Sequence, residues 1–199
     1  MLKVGITGGI GSGKSTVCQL FEILGIPIFN ADKVAKSLMQ TDEELKKSIK
    51  IAFGLKSYFD NGQLNRKYIS DIVFKNISEL KTLNSLVHPA VFKSFALWID
   101  KQKHHPYIIK EAALLFESDS YKLCDISILV TSPIELKIKR ILLRDNITEF
   151  EVKLRMDKQF SDEKKQELAN FLLVNDEVNP LIPQTVALHQ HLLSIKSFS

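Results

Sequence analysis

Eight residues near the amino end carry the densest chemistry in the chain: Gly8, Gly9, Ile10, Gly11, Ser12, Gly13, Lys14 and Ser15. They fit the pattern G-x-x-x-x-G-K-[ST], in which glycines let successive backbone N–H groups turn inward around phosphate oxygens. A side chain there would fill the cradle. The lysine of such a loop reaches the β and γ phosphates of a nucleoside triphosphate. The hydroxyl that follows, here Ser15, completes the coordination of a magnesium ion that keeps several of its waters. On this reading Gly11, Ser12, Gly13, Lys14, Ser15 and Thr16 bind nucleotide, Lys14 also acts on the transferring phosphate, and Ser15 is a metal ligand. The motif requires a strand before it and a helix after it. Leu2–Thr7 is a short apolar run, and Val17, Leu20, Phe21 and Leu24 then recur at helical spacing until Gly25.

Further candidates lie where strands are expected to end, each with a plainer alternative. Asp32 follows a second apolar run at residues 26–29 and can orient or deprotonate an acceptor hydroxyl, or can cap a helix. Glu111 closes another apolar run and can hold magnesium through water, or stand exposed at a strand terminus. Arg140 and Arg144 are four apart, so on a helix they share a face and either clamp phosphates or form a solvated basic face. His88, before Pro89, contacts an acceptor or packs against its helix. Asn175 reads adenine through its amide or begins a turn.

The elements that must position these residues follow from periodicity. Residues 33–103 read as helical, with one stripe at Leu45, Ile49, Ala52 and Phe53 and another at Val91, Phe95 and Trp98. Asp60, Asn61 and Gly62 mark a turn, and Pro89 suits the first turn of the last helix of this stretch. Residues 106–112, 125–130 and 171–174 read as buried strands. Ser132, Pro133, Ile134 and Glu135 form a capping-box pattern that opens a helix striped by Ile134, Ile138 and Ile141, and Thr148 with Glu151 repeats the signature. Leu188, Leu192 and Ile195 mark a closing helix. Strands alternating with helices indicate an α/β fold with a mostly parallel sheet.

With 199 residues, 45% of them hydrophobic, the chain is long enough for one sizeable core. Its 27 basic and 23 acidic side chains leave a net charge of +4. That suits an anionic ligand and is too small to imply nucleic acid. Cys18 and Cys124 share no spacing with a second thiol or a histidine pair, so both are expected as buried thiols rather than a metal site or disulfide. No apolar run reaches membrane-spanning length, and the start lacks the pattern of a secretory signal, so cytoplasmic residence with no membrane or nucleic-acid partner is expected. The sequence contains no Asn-Lys-x-Asp guanine motif, which disfavours a GTP-driven switch.

The chain resembles the dephospho-coenzyme A kinases over nearly its whole length. The resemblance rests on residues 5–16, on Ala31 with Asp32, on Leu83, Asn84, His88 and Pro89, and on residues 114–118 in the order Leu, Leu, Phe, Glu, Ser. It continues through Arg140, Arg144, Arg155 and Gln159 to Ala169 and Asn175. It implies a P-loop NTPase core with a five-stranded parallel sheet, spanning residues 1–33, 104–143 and 164–199. A helical coenzyme-binding insertion at 34–103 and a small helical lid at 144–163 complete the implied fold. It implies ATP as co-substrate, magnesium, and dephospho-coenzyme A as acceptor. Asp32 then acts on the ribose 3′-hydroxyl, Arg140 and Arg144 handle phosphate, Asn175 lies by adenine, and Arg66, His88, Leu115 and Phe116 serve the acceptor. Two positions depart from the family's usual pattern: Asn30, where aspartate is common, and Ala113, where proline is common.

Overall fold

The computed structural model describes residues 1–73, 76–145 and 147–195. Residues 74 and 75 of the expected helical region, 146 of the expected lid and 196–199 of the expected core lie outside the described residues. In chain order the elements are β1 (Leu2–Thr7), α1 (Lys14–Ile23), β2 (Ile28–Asn30), α2 (Ala31–Thr41), α3 (Glu43–Phe53), α4 (Arg66–Val73) and α5 (Ile77–Asp100). Then follow β3 (Tyr107–Glu111), β4 (Ile126–Thr131), α6 (Ile134–Arg144), α7 (Glu149–Met156), α8 (Asp162–Leu168), β5 (Phe171–Val174) and α9 (Leu181–Ser194). The chain divides into two compact units, Met1–Asn30 with Gln102–Ser199, and Ala31–Lys101.

The first unit is built on a five-stranded sheet in the order β2-β3-β1-β4-β5, every pair parallel. The apolar runs of its central strands are buried on both faces, as parallel sheets require. Val4, Ile6, Tyr107, Ile109, Ile128 and Val130 pack with Val17 and Phe21 of α1 and Leu188 and Leu192 of α9. Each such fully buried side chain contributes about 1.5–3 kcal/mol. Helix α1 ends as its glycine foretells. Gly25 has φ 82°, its N–H donates to Glu22, and the N–H of Ile26 donates to Phe21. This paired closure satisfies the last carbonyls of the helix.

Among its described residues unit two is helical apart from short turns and an isolated bridge, with Leu45, Ile49, Phe53, Ile69, Val87, Val91 and Phe95 buried. Pro89 does not open its last helix but lies inside α5. The proline removes one backbone donor. Val87, Val91 and Phe95 on either side are anchored strongly enough to carry the helix through it.

The capping-box reading at Ser132 is also corrected. Helix α6 begins at Ile134 after Pro133, with no side-chain cap, and the Ser132 hydroxyl accepts from Arg140 at 3.0 Å instead. At Thr148 and Glu151 both reciprocal cap bonds are present. Cys18 is buried and Cys124 only half-buried, where burial pushes its thiol up to about 11. Among the described residues no helix is long and apolar enough to cross a membrane.

Candidate active site

The loop between β1 and α1 sits at the carboxyl end of the sheet's central strand, where open α/β sheets place ligands. Gly11 and Gly13 have φ of 81° and 94°, in the left-handed region that favours glycine. The surroundings exclude side chains as firmly as the backbone does. A Cβ on Gly13 would lie 2.1 Å from the amide nitrogen of Asn175, and one on Gly11 2.6 Å from the Lys137 carbonyl. Gly13→Ala is therefore expected to cost at least the ~1–2 kcal/mol of the left-handed backbone. It should lower the melting temperature by roughly 3–6 °C and weaken ATP about tenfold. Thermal melts and nucleotide titration check this, and unchanged values would show that the loop relaxes around a methyl group.

Lys14, the first residue of α1, folds its ammonium back over the loop, donating to the carbonyls of Gly8 at 2.7 Å and Gly9 at 3.3 Å. The positive end of the helix dipole and this ammonium thus converge on one place. Ser15, next in the helix, donates from its hydroxyl to Glu111 Oε1 at 3.3 Å. Glu111 ends β3 and is only 7% exposed, so it is not a solvated strand terminus. Its other oxygen accepts from the side-chain amide of Asn30, its register partner on β2. The Asn30 amide gives this buried carboxylate a donor, which an ionised aspartate in its place could not do. The donor set at Ser15 and Glu111 is oxygen only, which fits a hard cation such as magnesium that takes few protein ligands.

On the other side of the loop, Asn175 follows β5 and its amide donates to the Ser12 carbonyl at 2.9 Å. Arg140, from α6, donates to the Asn175 carbonyl at 3.2 and 3.3 Å and to Glu177 at 3.0 Å. Arginine, asparagine and phosphate loop therefore form one connected chain. Arg144 does not join it. Its guanidinium is mostly exposed and pairs with Asp145, which also receives Arg155. Hydrogen bonds from Arg144 hold the Asp145 carboxyl below the usual carboxylate range. Thr16 is exposed on the first turn of α1 and donates its backbone N–H to Gly13.

A glycine loop with its lysine, hydroxyl and facing carboxylate in place defines a nucleoside-triphosphate site; comparison with known proteins narrows it. The family model described as CoaE, dephospho-CoA kinase, matches residues 2–180. The chain belongs to the dephospho-CoA kinase family. A dephospho-CoA kinase of Bacteroides fragilis (strain YCH46) is 35% identical, covering 94% of this chain and 91% of its own. One of Salinibacter ruber is 38% identical, covering 88% and 89%. The solved dephospho-CoA kinase of Campylobacter jejuni superposes with a TM-score of 0.69 at 28% identity, covering 96% of each chain.

For a dephospho-CoA kinase the remaining candidates are placed as follows. Asp32 lies in the first turn of α2, which begins at Ala31, so it is not that helix's N-cap. His88 is half-buried within α5 and stacks on Phe92 with centroids 6.0 Å apart. Arg66 is exposed at the start of α4, beside a cavity bounded by Gln40, Phe59 and Gln63. Leu115 and Phe116 are buried in the core, 0% and 3% exposed.

Several contacts beside the phosphate loop were not foreseen. A cavity of about 600 Å³ opens next to Gly9 and Ile10, with Lys137, Gln159 and Asp162 on its wall. Lys137 is ion-paired with Asp162, which also accepts from the Thr131 hydroxyl at 2.5 Å. Lys165, fully buried, pairs with Glu117 at 3.1 Å. No local spacing links these partners; only the capping position of Ser161 marks where α8 begins.

Proposed function

We propose that this chain transfers the terminal phosphoryl group of ATP to the ribose 3′-hydroxyl of dephospho-coenzyme A, giving coenzyme A and ADP in the last step of coenzyme A biosynthesis. The observation that carries this reading is the complete cradle at Lys14, Ser15 and Glu111, in a chain matched to the dephospho-CoA kinase model over residues 2–180. Backbone amides of residues 11–16 hold the phosphates, and Lys14 and Arg140 neutralise charge that shifts during transfer. Arg144 supplies a second cation from the same helix. Asn175 lies by adenine while its amide supports Ser12.

Ser15 and, through water, Glu111 would hold magnesium. Magnesium held there would supply positive charge that offsets the charge on the phosphate groups. Asp32 orients the acceptor hydroxyl and draws on its proton. The helical region at 34–103 receives the coenzyme, with Arg66 and His88 as contacts, and residues 144–163 close as a lid. Leu115 and Phe116 support the acceptor loop from the core. The reaction is placed in the cytoplasm and involves neither membrane nor nucleic acid.

The test is incubation of the protein with ATP, magnesium and dephospho-coenzyme A, followed by mass detection of coenzyme A, beside a panel of nucleosides and nucleotides. Coenzyme A at the expected mass supports the assignment. Folded protein that phosphorylates a nucleoside instead points to another small-molecule kinase. ATP hydrolysis with no phosphorylated acceptor points to a switch protein.

A further inference from the structure

The Gln159 side chain joins the phosphate loop to the turn after β3. It stands just beyond α7, where its backbone N–H donates to the Met156 carbonyl at 2.9 Å. Its side-chain oxygen accepts from the N–H of Ile10 at 2.9 Å, and its side-chain nitrogen donates to the Ala113 carbonyl at 3.3 Å. Ile10 is the third residue of the phosphate loop, and Ala113 lies two residues past Glu111. The same Ala113 carbonyl accepts from the hydroxyl of Thr7, the last residue of β1, at 3.3 Å. One amide therefore spans the two backbone segments that carry the phosphate cradle and the metal-side carboxylate.

The segment behind Gln159 is fastened at two further points. Phe160 donates its N–H to Glu117 Oε1 at 2.8 Å, and the same oxygen pairs with the fully buried Lys165 at 3.1 Å. Asp162 is held by Lys137 and by Thr131. These bonds fix the carboxyl end of the 144–163 segment, where Gln159 stands, so that Gln159 keeps its place and lid closure is left to the residues before it. We infer that Gln159 is a positioning residue for phosphoryl transfer, holding the phosphate loop in register with the turn that follows Glu111. The inference rests on the phosphate-loop reading of residues 8–15.

Magnitudes separate this role from simple adhesion. Two hydrogen bonds of this kind contribute about 0.5–1.5 kcal/mol each to stability. A displacement of about 1 Å at a transfer site costs up to a hundredfold in rate. Loss of Gln159 should therefore be felt far more in turnover than in folding. Binding of ATP, which depends on the amides of residues 11–16, should be largely retained.

The experiment compares Gln159→Ala and the equally long Gln159→Met with wild type, measuring kcat at saturating ATP and dephospho-coenzyme A. Equilibrium ATP binding and melting temperature are read on the same samples. The expected result is a loss of about tenfold or more in kcat, with the ATP dissociation constant within threefold of wild type. A kcat loss under threefold overturns the inference, and so does a loss of ATP affinity that accounts for the whole change. If the alanine variant does not fold, the methionine variant decides; failure of both to fold makes Gln159 a purely structural residue. Wild type assayed alongside keeps the two questions apart: a wild type that makes no coenzyme A counts against the proposed function, whereas active wild type and equally active variants count against Gln159 alone.

Discussion

Replacing Lys14 with alanine is expected to lower turnover about a thousandfold, equivalent to roughly 4 kcal/mol of barrier, while leaving the fold intact. Its ammonium already lies against the carbonyls of Gly8 and Gly9, so it needs no rearrangement of the backbone to meet a phosphate placed in the loop. A preorganised charge of this kind acts most strongly on the transition state, where charge moves onto the transferring and bridging oxygens. The residue is half-buried and none of the core packing rests on it, so the melting temperature should stay within a few degrees. Steady-state kinetics with thermal melts on the same preparation check both halves. Activity within a factor of about two of wild type would remove Lys14 from the catalytic step.

What could be read in advance was what local spacing determines. The phosphate loop, the strand before it and the glycine closure of α1 depend on residues within one turn of each other, and all three stand where the pattern puts them. The Thr148 box is equally local and is realised. The same signature at Ser132 fails because a distant group competes: Arg140 takes the hydroxyl, and the helix starts beyond it. Pro89 misled for a related reason. Its local preference for a helix start is overridden by buried side chains on both flanks in α5.

The site's supporting contacts were illegible because their partners are remote in sequence. Gln159 and Ile10 are 149 residues apart, Asn175 and Ser12 163, and Ser15 and Glu111 96. Periodicity carries no information about such pairs; parallel strand order brings them together. Its position at a strand end marks Glu111 as a metal-side residue, but nothing local signals its burial or its bond from Asn30. The two observations belong together, since the asparagine amide supplies the donor that a buried carboxylate needs.

Asp32→Asn is the substitution that best separates catalysis from structure. It nearly preserves size and keeps a polar side chain in the first turn of α2, but it can neither act as a base nor attract a hydroxyl proton comparably. Because the helix starts at Ala31, Asp32 does not supply the N-cap, and loss of its charge near the helix start costs only about 0.3–1 kcal/mol. Stability is therefore predicted to change little. Turnover is predicted to fall roughly a hundredfold or more, equivalent to about 2.7 kcal/mol or more. In a loose phosphoryl-transfer transition state the acceptor proton leaves late, so orientation and electrostatic attraction share this effect with proton removal. ATP binding, made at the phosphate loop, should be unaltered, and a nucleotide titration beside the kinetic assay reads this directly. A variant that melts much earlier yet keeps its turnover per folded molecule would make Asp32 structural. The acceptor-side carboxylate would then have to be sought elsewhere, first at Glu111, where Glu111→Gln would remove the charge while retaining a side chain able to meet Ser15.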